Sequence, residues 1–215
     1  MDKKAFRIPM PIRYLINALL FAAFLFAGNA LIEGRVIPTY YAKVITLIGI
    51  NIILAVSLNI ATGYLGQLPL GHAGFMAVGA YAAAIFLTRT AMPETVAFPI
   101  GIVIGGIVAA LFGIIIGIPA LRLKGDYLAI ITLGFGEIIR VILTNIDSVI
   151  GTDFTYGAAG LKRIPKYSSF TLVFICVVVC CYIIHTIMKS RHGRAILSIR
   201  EDEIASESVG IQTTY

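Results

Sequence analysis

The chain has 215 residues, a formal net charge of +6, 59% hydrophobic and 13% charged residues, and a mean hydropathy of +0.93. Soluble domains are roughly 45–50% apolar and about 25% charged, so this composition excludes an ordinary soluble domain and points to an integral membrane protein. The positive charge is no sign of nucleic-acid binding, because Lys and Arg stand where membrane topology puts them; Trp is absent, which leaves Tyr, Lys and Arg as interfacial anchors.

Lys3, Lys4, Arg7 and Arg13 precede the first apolar stretch, and Gly28-Asn29-Ala30 superficially resembles a signal-cleavage triplet. The stretch is longer than the roughly 7–15 residues of a signal core, so Tyr14–Ile32 is expected as a retained first span. Glu33–Tyr40 is a polar turn with Pro38, and Val44–Thr62 is the second span. Gly63–Gly71, GYLGQLPLG, is a breaker with three glycines and Pro69. Ala73–Thr88 is a third, shorter apolar segment, followed by the polar Arg89–Thr95. Val96–Ile118 is the fourth span, closed by Pro119, and Leu121–Asp126 is a charged turn. Tyr127–Ile146 is the fifth span. The Gly-rich loop Asp147–Ser168 leads to the sixth, Ser169–Met188, and a polar tail runs to Tyr215. The fold class is therefore all-α: a polytopic transmembrane helix bundle of about six segments, one region of it broken by Gly and Pro.

Six crossings put both termini on one side. That side carries Lys3, Lys4, Arg7, Arg13, Arg122, Lys124, Lys189, Arg191, Arg194 and Arg200. The other carries Arg35, Lys43, Arg89, Lys162, Arg163 and Lys166, and the excess predicts cytoplasmic termini. Cys176, Cys180 and Cys181 all fall inside the sixth span without metal-ligand spacing, and read as apolar filler.

In the fourth span Gly101, Gly105, Ala109, Gly113 and Gly117 recur every four residues, the spacing of a close helix-packing face. Asn59, Gln67 and His72 flank or occupy the break. Irregular backbone at membrane depth must be buried in protein or line a wet cavity, so these three are translocation-path candidates, with a structural or gating role favoured over direct substrate binding. Glu137 and Arg140 sit near the middle of the fifth span, three residues apart and able to pair. A charge there costs at least about 2.5–3.5 kcal/mol on insertion scales, so the pair should face the protein interior or a pathway, or else lock helices together.

Arg191–Gly210 is the longest strongly polar segment. Ser198 lies three residues before Glu201, the capping-box spacing, which predicts a helix starting at Ser198 with Glu201, Asp202 and Glu203 in its first turn. Gly210 is placed to end it, and Ile204, Ala205, Ser208 and Val209 form a narrow small-and-apolar face, a natural peg for a soluble partner; an ordinary surface loop is the alternative. No G-x-S-x-G, H-E-x-x-H or Walker A pattern occurs, so no catalytic constellation is expected, and any ATPase must be another chain.

The stretch SLNIATGYLGQLPLGHAGFMAVGAYAAA (Ser57–Ala84) resembles the signature region of the membrane subunits of branched-chain amino acid ABC transporters. LRLKGDYLAIITLGFGEIIRVIL (Leu121–Leu143) is similar to the LivM-type subunit of that family, and GRAILSIREDEIASESVGI (Gly193–Ile211) resembles its cytoplasmic loop. The resemblance implies an importer permease in the cell (inner) membrane. Its partners would be a second related permease, two cytoplasmic ATPase subunits that bind the ATP, and an extracytoplasmic solute-binding protein; no cofactor is implied on this chain. It divides the chain into a transmembrane permease domain, 1–188, and a cytoplasmic coupling segment, 189–215. Carried over, the resemblance makes Gly193, Arg194, Ser198, Glu201, Glu203, Ala205 and Gly210 the ATPase-coupling residues. General ABC importers have E-A-A and a later Gly where this chain has Ile204, Ala205, Ser206 and Gly210, with the acid displaced to Glu203. GTDFTYGAAGL (Gly151–Leu161) is an altered version of the family's Gly-rich loop. Family members continue through further membrane helices, so a C-terminally truncated permease is expected. Two other readings are an ion-coupled secondary transporter or channel using the break and Glu137, and a non-transporting permease fragment.

Overall fold

A computed structural model of the chain describes residues 10–34, 36–90, 93–120, 122–123, 125–150, 155, 157, 160–161 and 169–211. Several residues behind the charge count (Lys3, Lys4, Arg7, Arg35, Lys124, Lys162, Arg163 and Lys166) lie outside that set, as do Leu121 and most of Gly151–Leu161. Among the described residues all regular structure is helical: α1 (Met10–Glu33), α2 (Thr39–Asn59), a π turn (Ile60–Tyr64), α3 (His72–Arg89), α4 (Glu94–Ala120), α5 (Asp126–Ile150), α6 (Phe170–Lys189), α7 (Arg191–Glu201) and α8 (Glu203–Ser208). The all-α polytopic bundle expected from composition is the fold observed.

Five of these segments are long and apolar enough to cross a membrane: Ile16–Glu33, Thr39–Tyr64, Val96–Ala120, Asp126–Ser148 and Phe170–Lys189. The expected third span is α3, whose 18 residues are not among them. At 1.5 Å per residue α3 is about 27 Å long, just under the roughly 30 Å hydrocarbon core, and it carries His72 and Arg89 at its ends. Pro119 does not close α4 as expected; the helix runs through it to Ala120, with Pro99 also inside its first turns.

The chain divides into two compact units: Met1–Val56 with Ser168–Ile183, and Ser57–Tyr167 with Ile184–Tyr215. In the first, α1 and α6 meet through an aromatic cluster. Phe24 lies 5.7 Å from Phe170 and 5.2 Å from Phe174, ring centre to ring centre, and the Phe170 ring covers Gly28. The Asn29 amide donates to Thr171 Oγ1 at 2.6 Å, and Gly49 of α2 lets Val173 of α6 approach. Such small-residue contacts and polar ties are how helices associate where lipid supplies no hydrophobic drive. Cys176, Cys180 and Cys181 are free and half-buried in α6.

The second unit is built on α3. Its Gly79 crosses α4 at Gly105 so closely that a Cβ on Gly105 would stand 2.6 Å from the Gly79 carbonyl oxygen. Gly101 lies against Leu87, and Ala109 against Gly79, so the four-residue stripe of α4 meets α3 over this half. At Gly113 and Gly117 a Cβ would find no described heavy atom within 4 Å. Val78, Ile116 and Ile139, one each from α3, α4 and α5, form the buried core with Phe75 and Phe135 packed on it. At the end of α5 the Asp147 carboxylate accepts from the N–H groups of Thr155 (2.7 Å) and Gly157 (3.0 Å), while Thr155 Oγ1 donates to the Leu143 carbonyl at 2.9 Å. Thr155 is thereby pinned and only 1% exposed.

Candidate functional site: a broken helix, its latch and a charged cleft

The Gly- and Pro-rich stretch after α2 is a real break with a defined path. It begins earlier than the glycines suggest, in the π turn, where Leu65 N–H donates to the Ile60 carbonyl at 3.1 Å and Gln67 N–H to the Ala61 carbonyl at 2.9 Å. Single π turns inside α-helices recur at functional sites. The Asn59 side chain folds against Gly63, where any Cβ would collide with it. Gly66 then takes a left-handed φ of +76°, which turns the chain.

Four contacts hold the far end of the break. Leu70 N–H donates to Thr132 Oγ1 of α5 at 3.0 Å, and that hydroxyl donates in turn to the Leu128 and Ala129 carbonyls. Thr132 is 6% exposed, so this is a satisfied buried polar group rather than a loose one. Gly71 presses on the Thr132 backbone, and Gly74 on Gly136. His72 Nε2 lies 3.2 Å from Ser57 Oγ, which joins the start of α3 to the end of α2 across the break. Gln67 is half-buried.

Beside Leu70 opens a cleft of about 180 Å³, lined by Leu70, Ala73, Gly74 and Ala77 on one side and Gly136, Glu137 and Arg140 on the other. The break and the charged pair, separate in sequence, thus meet at one site. Arg140 Nε donates to Glu137 Oε2 at 2.8 Å, the pairing expected from their spacing. Arg140 is 70% and Glu137 58% exposed, so within this unit the pair stands at the edge of the cleft, as an ion pair along one helix. The physical reason is register: α5 packs on α3 through Gly136 and Ile139, and residues a third of a turn away fall at the edge of that contact.

The polar segment after α6 is corrected. Ser190 caps α7, its Oγ accepting from Gly193 N–H, and Gly193 is folded onto the Met188 backbone. Arg194 reaches back to the Lys189 carbonyl. Ser198 is therefore no N-cap; it lies inside α7 and donates to the Ala195 carbonyl at 2.9 Å, and no capping box joins it to Glu201, the last residue of α7. The cap is Asp202, whose Oδ1 accepts from Ala205 N–H at 3.0 Å and starts α8 with Glu203 in its first turn. A helix beginning at Ser190 already places Ser198 mid-helix, where its hydroxyl turns to its own backbone. Gly210 ends α8 as expected, with φ +86° and Ile211 N–H bonded to the Ser206 carbonyl. Ile204 and Val209 are 80% and 76% exposed, while Ser206 is buried.

One contact that sequence reasoning missed connects these parts. The Arg200 guanidinium donates to the carbonyl of Gly63 in the π turn, and its Cγ lies against Gly66. The polar segment is thus latched directly to the break, the break is tied to Thr132 of α5, and α5 carries Glu137 and Arg140. The available sequence signals were a cation in the last turn of an amphipathic helix and a Thr in an apolar span. Neither identifies its partner.

The family described as "Branched-chain amino acid transport system / permease component" matches residues 40–215. The chain belongs to this family. Its LivM-type resemblance also holds: it is 36% identical over 200 residues to the high-affinity branched-chain amino acid transport system permease protein LivM of Escherichia coli K12, covering 77% of this chain and 45% of the relative. The LivM protein of Salmonella typhimurium LT2 is 34% identical over 203 residues, 79% of this chain and 46% of the relative. The chain spans about half the length of the curated relatives it matches. No solved structure matches it. The broken helix, the latch and the charged cleft of this permease-family chain all lie within the matched residues.

Proposed function

We propose that this chain is a membrane-spanning permease subunit of an ABC importer. Its solutes are branched-chain amino acids or related small amphipathic molecules. The partners in this reading are a second related permease, two cytoplasmic ATPase subunits that hold the ATP, and an extracytoplasmic binding protein. It sits in the cell (inner) membrane with both termini cytoplasmic. The observation that carries the mechanism is the Arg200–Gly63 contact. Closure of the ATPase dimer displaces α7 and α8, and the latch passes that displacement to the π turn. The turn in turn moves Leu70 and Gly71 against Thr132, beside Glu137 and Arg140. A bistable element biased from one end is what such coupling needs. The exposed, mid-span charge pair supports a wet or protein-covered face there, because lipid would make it costly. An ion-coupled carrier centred on Glu137 is less well supported, since Arg140 already holds that carboxylate.

The test is uptake and ATP hydrolysis by the assembled complex in proteoliposomes. Glu203→Arg or Gly210→Pro uncouples hydrolysis from uptake while the membrane helices stay folded. Wild-type coupling in both variants refutes the reading, as does failure of the chain to co-purify with any ATPase from native membranes.

A further inference from the structure

The first unit holds a second polar site that the transport reading does not use. Where α1 leads toward α2, an open cleft of about 490 Å³ is lined by Asn29 and Glu33 of α1, Lys43, Thr46 and Leu47 of α2, and Phe170 at the start of α6. That volume is in the range of small-molecule sites. Among the described residues its lining has one acid and one base, so its electrostatics suit a ligand with both charges rather than an anion or a cation alone. Its neutral groups sharpen the choice. Asn29 uses one of its two amide N–H groups on Thr171, and Thr46 uses its hydroxyl proton on the Ala42 carbonyl at 2.9 Å. Its acceptors are the Asn29 carbonyl oxygen, the Thr46 lone pairs and the Glu33 carboxylate, and the hydroxyls of Thr39 and Ser169, which can accept as well as donate, also line it. An ammonium with three N–H donors matches that set, and a quaternary ammonium does not. Lys43 supplies the point charge for a phosphate.

The depth of the cleft identifies the source. Glu33 ends one apolar span and Thr39 begins the next, so the cleft lies at a membrane boundary. Tyr40 and Tyr41 beside it are 70% and 58% exposed and stacked edge to face at 5.5 Å, as residues of an interfacial aromatic belt are. We propose that this cleft binds the zwitterionic headgroup of an aminophospholipid, with the ammonium at Glu33, the phosphate at Lys43 and the first part of the lipid's apolar body against Leu47 and Phe170.

Native mass spectrometry of the detergent-purified protein tests this, using phosphatidylethanolamine, phosphatidylcholine and phosphatidylglycerol with the same acyl chains. Phosphatidylethanolamine should be retained about tenfold more than either other lipid, the worth of one charge-assisted hydrogen bond. Glu33→Gln and Lys43→Gln should each remove that preference, and the Glu33→Lys/Lys43→Glu double swap should restore it. Thr46→Val, which removes one acceptor and no charge, should weaken it in a protein that still elutes as one species. Equal retention of the three lipids, a preference unchanged by all four variants, or displacement of the lipid by free leucine would each overturn the assignment.

Discussion

The guanidinium of Arg200, in the last turn of α7, donates to the carbonyl oxygen of Gly63, 137 positions earlier in the chain. Gly63 lies in a π turn, whose carbonyls are displaced from the regular α-helical ladder, so a distant donor can claim one of them. Arg200→Ala should lower uptake by the assembled complex by about tenfold while basal ATP hydrolysis persists, the loss of one charge-assisted bond. Arg200→Lys should fall between the two, because an ammonium keeps the charge but not the planar fork. Parallel measurements of uptake and hydrolysis check this; equal uptake in wild type and Arg200→Ala would remove the latch from the mechanism.

Gly71 and Gly106 make a contrasting pair. A Cβ at Gly71 would collide with the carbonyl of Thr132, which is helix backbone and cannot give way, whereas one at Gly106 meets nothing within 4 Å. Gly71→Ala should cost about 1–3 kcal/mol through overpacking. Gly106→Ala should be neutral or stabilising by up to about 1 kcal/mol, since glycine weakens a helix interior. Thermal unfolding in detergent ranks the two, and the reverse order would mean that the break does not dock on α5 as described.

Asp202 and Ser198 separate the observed cap from the one expected. Asp202→Ala should destabilise α8 by about 1 kcal/mol, so that the amides of residues 203–208 exchange about fivefold faster. Ser198→Ala should leave them unchanged, because its hydroxyl bonds only to Ala195 within α7. Hydrogen exchange resolved to this segment decides between them.

Glu137→Gln keeps the shape of the cleft and removes one member of an exposed, mid-span ion pair. Arg140 then stands without its countercharge on a helix that crosses the membrane, a cost of several kcal/mol if that face met lipid and much less if it lines a wet path. On the path reading, assembly persists and uptake falls by about tenfold or more. Co-purification of the complex and uptake are measured together. Lost assembly with no specific transport defect would instead place the pair at a packing surface.

Much of this protein was legible in the residues themselves. The long apolar runs set the membrane spans, because about twenty such residues match the bilayer core whatever their neighbours do. The Gly and Pro cluster at Gly63–Gly71 marked the break, Gly210 marked a helix end, and the spacing of Glu137 and Arg140 predicted their pairing, all local rules of backbone and period. Local rules failed at Ser198: two competing N-caps precede the same polar run, and Ser190 starts its helix first. Only the tertiary structure decided the direction in which Glu137 and Arg140 point, the burial of Thr132 under Leu70, and the reach of Arg200 to Gly63. Each of these depends on which helix lies beside which, and an apolar helix in a membrane carries no strong pattern that names its neighbour. Hydropathy gives spans because it is a property of one segment facing lipid; contacts are properties of two segments, set by small residues and single polar side chains.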